Sequence, residues 1–340
     1  MRDRNRQLHV GDEYSQARDG RDRSPSNHLI HNKFLTSIGN TPPFSRVNRV
    51  LVRASRAILS SLQKNTSIAS KNRLVCRSMA IEDFMQRLVI WGTGELGGRV
   101  AQRWTAGPVV GITQSTKRHS TLQAMGVEAR VGSAANILQS EDAFLLAIPG
   151  YAAQAEAIAQ LQITKTGVPR RAVLISSTGY YGPNASGPIS PGTPPGPEDR
   201  ARGIAATEAA FRDWAGETGV AIRFGGLHRP GRGPITPLAR RGSAPAGPPN
   251  KILCLIHYDD AATAVLAALT LKDVEPVYVG MTLPSPTRQD YYEAACDRLN
   301  LPAPSFTAPL NRPPHYDIAA FQRDLLAQPA HPDWREALLP

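Results

Sequence analysis

Three glycines, Gly92, Gly94 and Gly97, follow the apolar run Leu88-Val89-Ile90-Trp91 and precede a helix-permissive segment, Arg99 to Trp104. G-x-G-x-x-G between a strand and a helix is the arrangement that grips the pyrophosphate of a dinucleotide. Gly92 allows the tight strand-to-helix turn, Gly94 lets the backbone approach the phosphates, and Gly97 lets the helix lie close on the strand. Thr93, Glu95 and Leu96 complete the loop. The helix N-terminus adds free N–H groups and the positive end of its dipole.

The end of the next strand, Pro108 to Thr113, is where a carboxylate would bond the ribose 2′-hydroxyl of NAD. The residues there are Thr113-Gln114-Ser115-Thr116-Lys117-Arg118-His119, with no acid among them. A hydroxyl at Ser115 beside the charges of Lys117 and Arg118 suits a 2′-phosphate, which needs donors and positive charge. The expected cofactor is NADP, with NAD as the runner-up.

These residues must be carried by a regular frame, and the chain supplies one. After the second strand come a short helix (Ser120 to Met125) and a third strand, Val127 to Val131. Ala143-Phe144-Leu145-Leu146-Ala147-Ile148 is all apolar, as a central parallel strand should be, and ends in Pro149-Gly150 at the sheet's carboxyl edge. Ala147 therefore joins the expected cofactor-binding residues. An alanine-rich helix (Tyr151 to Gln162) and a fifth strand (Arg171 to Ser176) follow. The βαβαβ alternation predicts an α/β fold with a Rossmann doubly wound parallel sheet.

The fifth strand runs into Ser176-Ser177-Thr178-Gly179-Tyr180-Tyr181-Gly182. This stretch resembles the extended and atypical short-chain dehydrogenase/reductases, the NAD-dependent epimerase/dehydratase-like family. Val220 to Arg232 resembles that family's strand and G-x-Y-G-P-G-R loop, with His228 in the tyrosine place. Ile256-His257-Tyr258-Asp259-Asp260 resembles its I-H-V-D-D segment, and Val277 to Gly280 and Pro286 to Tyr292 resemble parts of its carboxyl-terminal lobe. The resemblance implies a Rossmann domain at 84–232 and a smaller α/β substrate lobe at 233–340, partly interleaved with it. It also implies Ser177 as a catalytic residue and Thr178, His228 and Arg232 as substrate-binding residues.

The family's reaction further uses Tyr-x-x-x-Lys, in which the tyrosine exchanges a proton with substrate and the lysine tunes it. No Tyr-x-x-x-Lys occurs in this chain. Aligning the helix on Thr207-Glu208 puts Arg200 in the tyrosine place and Ile204 in the lysine place. Arginine does not release its proton near neutral pH, and isoleucine bonds nothing. Substitutes for the missing acid–base are Tyr181 or its neighbour Tyr180, and His228; Arg200 or Arg202 could instead hold an anionic substrate group. Tyr181 joins Ser177 as the expected catalytic pair. The expected function is an NAD(P)-binding oxidoreductase or epimerase-like protein acting on a nucleotide sugar or another hydroxylated small molecule. The alternative is a non-catalytic NADP-binding regulatory or scaffold protein.

The remaining features bound this reading. The formal net charge is +11, but residues 1–80 hold 15 Lys and Arg against 5 Asp and Glu, leaving 24 against 23 in the other 260. A nearly neutral domain gives no support to nucleic-acid binding. From Ser24 to Ala80 there is no acid, with nine Lys or Arg and ten serines. That is the composition of an organellar transit peptide, so residues 1–80 are expected to be a plastid leader, with mitochondrion as the runner-up. No run of about 18 apolar residues could span a bilayer. Cys76, Cys254 and Cys296 show no ligand spacing, and no metal site is expected. Pro234 to Asn250 reads as a mobile lid or linker, Asp259 or Asp260 as a helix cap, and Asp333 to Glu336 as part of a docking final helix. A small-molecule substrate is the expected partner, and a homodimer is left open.

Overall fold

In the computed structural model, residues 86–164 and 167–339 are described; the expected leader at 1–80 lies outside them. Leu88–Trp91 (β1) has four consecutive buried side chains, as a strand covered on both faces requires. Leu88 and Ile90 enter one hydrophobic cluster, and Val89 and Trp91 enter another. The period-two alternation of the strand thus feeds two separate cores, one on each face of the sheet.

The elements follow in order as α1 (Glu95–Arg103), β2 (Val109–Thr113), α2 (His119–Ala124), β3 (Val127–Val131), β4 (Ala143–Leu146), α3 (Tyr151–Ile163) and β5 (Arg171–Ser177). Then come β6 (Pro188–Ile189), α4 (Asp199–Ala215), β7 (Gly219–Phe224), β8 (Gly226–His228), α5 (Ile235–Arg241), β9 (Leu255–His257), α6 (Tyr258–Thr270) and β10 (Val277–Gly280). The last are α7 (Arg288–Arg298), β11 (His315–Tyr316), α8 (Ala319–Asp324) and a 3-10 turn, Trp334–Leu338. Seven strands form one sheet in the order β10-β7-β5-β4-β1-β2-β3, with every pair parallel. This is the expected doubly wound sheet. Helices α1 and α6 cover the face with Leu88 and Ile90, while α3 and α4 cover the other.

The strand order reverses between β1 and β4, whose ends Trp91 and Leu146 lie side by side. In open α/β sheets that crevice, beyond the carboxyl ends of the strands, is where ligands bind. Here its walls are the glycine loop after β1 and the Ala147-to-Gly150 turn after β4.

Helices α5 and α7 and the 3-10 turn at 334–338 share a smaller core of Ile235, Leu238, Tyr291, Ala295 and Leu338. The chain does not stay in this lobe after residue 233, since α6 packs on the main sheet and β10 extends it beside β7. Part of the expected lid at 234–250 is the helix α5, anchored by buried Ile235 and Leu238. Proline density concealed it, yet Pro234 at the N-cap and Pro237 in the first turn remove only N–H groups that a helix start leaves unpaired. The cap of α6 also differs from expectation. His257 Nδ1 accepts the Asp259 N–H (3.1 Å), whereas the Asp260 carboxylate takes the N–H groups of Ala330 and His331 (2.8 and 3.0 Å) and ties down the final segment.

Candidate active site

The glycine loop is shaped by close approach. Gly92 has φ +105°, and a Cβ on it would lie 2.6 Å from the backbone carbon of Ala147. A Cβ on Gly97 would lie 2.3 Å from the Gly92 carbonyl oxygen, so α1 rests directly on the strand-turn backbone. Gly94 is different, because a Cβ there would meet nothing within 4 Å. Its open side belongs to a cleft of about 620 Å³ lined by Gly94, Glu95, Leu96, Gly97 and Ala147 on one wall. Among the described residues no side chain caps the first turn of α1, so its N–H groups are available to an anion in the cleft.

A second hollow of about 280 Å³ continues the first past Gly94, Ile148 and Pro149, which line both. Gly92, Thr93, Ser115 and Arg118 stand around it. Arg118 Nη1 donates to the Thr93 carbonyl oxygen (2.5 Å) and so lies across the back of the glycine loop. Lys117 is exposed on the 3-10 turn at 116–118 and lines neither hollow. The paired hollows, the uncapped helix end and the open Gly94 offer room for a dinucleotide, with Ser115 and Arg118 lining the smaller hollow.

Ser177 reaches the opposite wall of the larger cleft from the last position of β5. Its Oγ accepts the Gly179 N–H (3.1 Å), which opens the 3-10 turn Thr178–Tyr181. The position of Gly179 gathers three side chains: a Cβ there would have Ile204 Cδ1 at 3.2 Å, Ser177 Oγ at 3.3 Å and Arg200 Nε at 3.4 Å. Arg200 and Ile204 therefore stand beside Ser177. Thr178 faces an adjoining hollow of about 390 Å³, lined also by Arg200, Lys251, Cys254 and Tyr316. Burial pushes the Cys254 thiol up to about 12, which leaves it protonated and unreactive.

Tyr181 does not occupy the catalytic place expected of it. Only 4% exposed, it donates its hydroxyl to the Ser190 carbonyl oxygen (2.9 Å) and accepts from Arg223 Nη1 (2.9 Å). Burial raises its pKa. Arg223 is itself enclosed: Nη2 meets Glu208 Oε2 at 2.7 Å, and the guanidinium lies 3.3 Å over the Tyr180 ring. Tyr180 and Tyr181 thus both serve a buried ion pair behind β5 and α4. Sequence reasoning missed this because Arg223 and Glu208 come from separate elements.

His228 is likewise buried, 1% exposed, where a substrate contact was expected. The β8–β9 pairing sets it opposite His257, with ring centroids 5.5 Å apart, and its Nδ1 has no hydrogen-bond partner among the described residues. Burial drives its pKa down to about 4. Arg232 does line the cleft, donating from Nε to the Tyr258 hydroxyl (3.1 Å). Glu95 anchors that region. Burial opposes its charge, but Arg229 and Arg99 at 3.1 and 3.0 Å outweigh it and hold the carboxyl below its usual range. Behind them Arg99 and Arg103 both pair with Asp259. His257, His331 and Glu336 place ligand-capable atoms within 4.8 Å of one another. The cluster is already engaged, since His331 Nδ1 meets Glu336 Oε2 at 2.6 Å and His257 Nδ1 accepts the Asp259 N–H.

No protein-family model matches the chain, and no curated protein matches it by sequence. Solved structures match its fold. A UDP-glucuronic acid 4-epimerase from Bacillus cereus in complex with NAD superposes with TM-score 0.59 at 17% identity, over 74% of this chain and 96% of that one. The chain has the fold of the NAD-dependent epimerase/dehydratase-like short-chain dehydrogenase/reductases. The human epimerase family protein SDR39U1 (isoform 2) with NADPH matches with TM-score 0.56 and 20% identity, over 74% and 98% of the two chains. A conserved protein of unknown function from Silicibacter pomeroyi matches with TM-score 0.58 and 19% identity, over 75% and 97%. Arg200 and Ile204, the residues expected in the tyrosine and lysine places, both stand beside Ser177.

Proposed function

We propose that the protein is an NAD(P)-dependent oxidoreductase of the epimerase-like type, acting on a nucleotide sugar or another hydroxylated small molecule, with NADP as its cofactor. One observation carries this reading: a pyrophosphate cradle and a serine hydroxyl at the end of β5 face each other across a single cleft. The nicotinamide, when bound, exchanges hydride with a substrate carbon. The chain's residues supply the rest. The uncapped turn of α1 and the open Gly94 hold the pyrophosphate, and Ser115 and Arg118 receive the ribose phosphate. Ser177 Oγ donates to the substrate oxygen, and Arg232, more than half exposed along the cleft, takes a phosphate of the substrate. Arg200 adds a fixed positive charge beside that oxygen without transferring its proton.

Loss of the family's tyrosine and lysine from α4 favours a second reading, a dinucleotide-binding protein without turnover. The two separate on one experiment. Carbonyl compounds are screened for oxidation of NADPH by the full chain, with binding measured alongside. Oxidation that Ser177→Ala suppresses supports the enzyme; binding with no oxidation, unaffected by Ser177→Ala, supports the second reading. Residues 1–80 are proposed as a plastid leader, and a fluorescent-protein fusion that stays cytosolic would oppose that.

A further inference from the structure

The cleft that contains Ser177 is lined by five ionisable side chains: Glu95, Tyr151, Arg200, Arg232 and Tyr258. Arg200 and Arg232 are arginines, a residue type that does not serve as an acid–base. Glu95 is held as a carboxylate by Arg229 and Arg99. Tyr258 is buried, and its hydroxyl accepts from Arg232. Tyr151 is half-buried, and its hydroxyl has no hydrogen-bond partner among the described residues. We propose that Tyr151, on α3, supplies the acid–base phenol that α4 lacks, which rests on the oxidoreductase reading above.

The packing supports this placement. Tyr151 is the first residue of α3 and follows Gly150, whose φ is +89°, at the carboxyl edge of β4 beside the switch point. Its ring lies against Gly203 in α4, where a Cβ would come within 2.3 Å of Cε2 and 2.9 Å of Cζ. A glycine inside a helix is less stable than alanine; here the ring occupies the space a Cβ would need. Thr207 Oγ1 donates to the Tyr151 carbonyl oxygen (3.2 Å) and fixes the start of α3. Arg200, Gly203, Ile204 and Thr207 are spaced i, i+3, i+4 and i+7, so they share one face of α4. That face carries the Tyr151 ring at Gly203 and stands beside Ser177 through Arg200 and Ile204, on either side of that glycine. The phenol thus arrives from a neighbouring helix onto the surface from which the family's own tyrosine would project.

The step balances as an alcohol–carbonyl interconversion. In oxidation the substrate C–H pair leaves as hydride to the oxidised nicotinamide, the C=O bond forms, and the hydroxyl proton passes to the Tyr151 phenolate oxygen. In reduction Tyr151 returns that proton to the substrate oxygen as hydride arrives from the reduced nicotinamide. Ser177 donates to the same oxygen in both directions.

The test has two arms on the full chain. In the first, NADP⁺ or NADPH is supplied with UDP-glucose, UDP-glucuronic acid and simple hydroxy and keto compounds, and turnover is read at the nicotinamide absorbance. Tyr151→Phe keeps the ring against Gly203, so NADPH affinity should stay that of the parent chain while kcat falls about 10²- to 10⁴-fold. In the second, tetranitromethane modifies the protein with and without NADPH, and nitrated tyrosines are mapped by mass. Tyr151 should be nitrated in the free protein and protected by the dinucleotide. Parental kcat in Tyr151→Phe would overturn the inference alone. So would a Tyr151 that is unreactive, or equally reactive with and without NADPH. Protection of Tyr151 with no turnover of any probe would overturn the oxidoreductase reading itself, and the inference with it.

Discussion

Glu208→Gln keeps the size of its side chain and removes its charge, leaving the buried Arg223 charge with only neutral partners such as the Tyr181 hydroxyl and the Pro191 carbonyl oxygen. The two side chains are each 2% exposed, and Arg223 meets Glu208 through Nε at 3.0 Å and Nη2 at 2.7 Å. An exposed pair would contribute about 0–1 kcal/mol. A buried one behaves differently, because removing one partner strands the other, and the cost is about 3–5 kcal/mol. For a folded region of this size that lowers Tm by about 6–20 °C. Ser176 feels the same change, since its hydroxyl donates to Glu208 Oε1 directly behind Ser177. Urea unfolding followed by tryptophan fluorescence reads the loss. The double variant Glu208→Leu with Arg223→Met removes both charges and should recover most of it. A single-variant loss under about 1 kcal/mol, the size seen for exposed pairs, would refute the reasoning. A double variant as unstable as the single would refute it too.

Gly97→Ala should displace α1 from the Gly92 carbonyl, costing about 1–3 kcal/mol by overpacking and abolishing measurable NADPH binding; parental binding by a folded variant would show that the close contact is dispensable. For His228, burial lowers the folded pKa from 6.5 to about 4, so between those values the unfolded chain binds the extra proton. The His228 contribution is complete above pH 6.5 and is lost as pH falls towards 4, by at most about 3 kcal/mol. His257, lowered mainly by burial, acts in the same direction. Unfolding free energies of the parent and His228→Gln should therefore converge as pH drops through that window, and a constant difference would contradict the burial argument.

The sheet was legible because each strand obeys a local rule. Leu88–Trp91 and Ala143–Leu146 are wholly apolar, and the glycines mark the turn between β1 and α1. Read in helical register from Thr207-Glu208, Arg200 and Ile204 are the residues the structure places beside Ser177. What escaped the sequence depends on distant partners. Tyr181 looked catalytic only until Arg223 and Ser190 claimed its hydroxyl. His228 looked available until β9 paired across it. The helix α5 was hidden by prolines at positions where a helix tolerates them. Tyr151 carried a signal that could have been used: it follows Pro149-Gly150 at a strand's carboxyl edge, where ligands of a doubly wound sheet collect.

The glycine loop and Arg118 are proposed to hold NADPH. Trp91 lines the smaller hollow, so quenching of its fluorescence offers a direct titration of the full chain with NADPH and NADH. NADPH should bind more tightly than NADH, and Arg118→Ala should weaken NADPH about 10- to 100-fold, as loss of a charged hydrogen bond implies, with little effect on NADH. Saturable binding with that order is the predicted result; binding of neither nucleotide would contradict the account at its base.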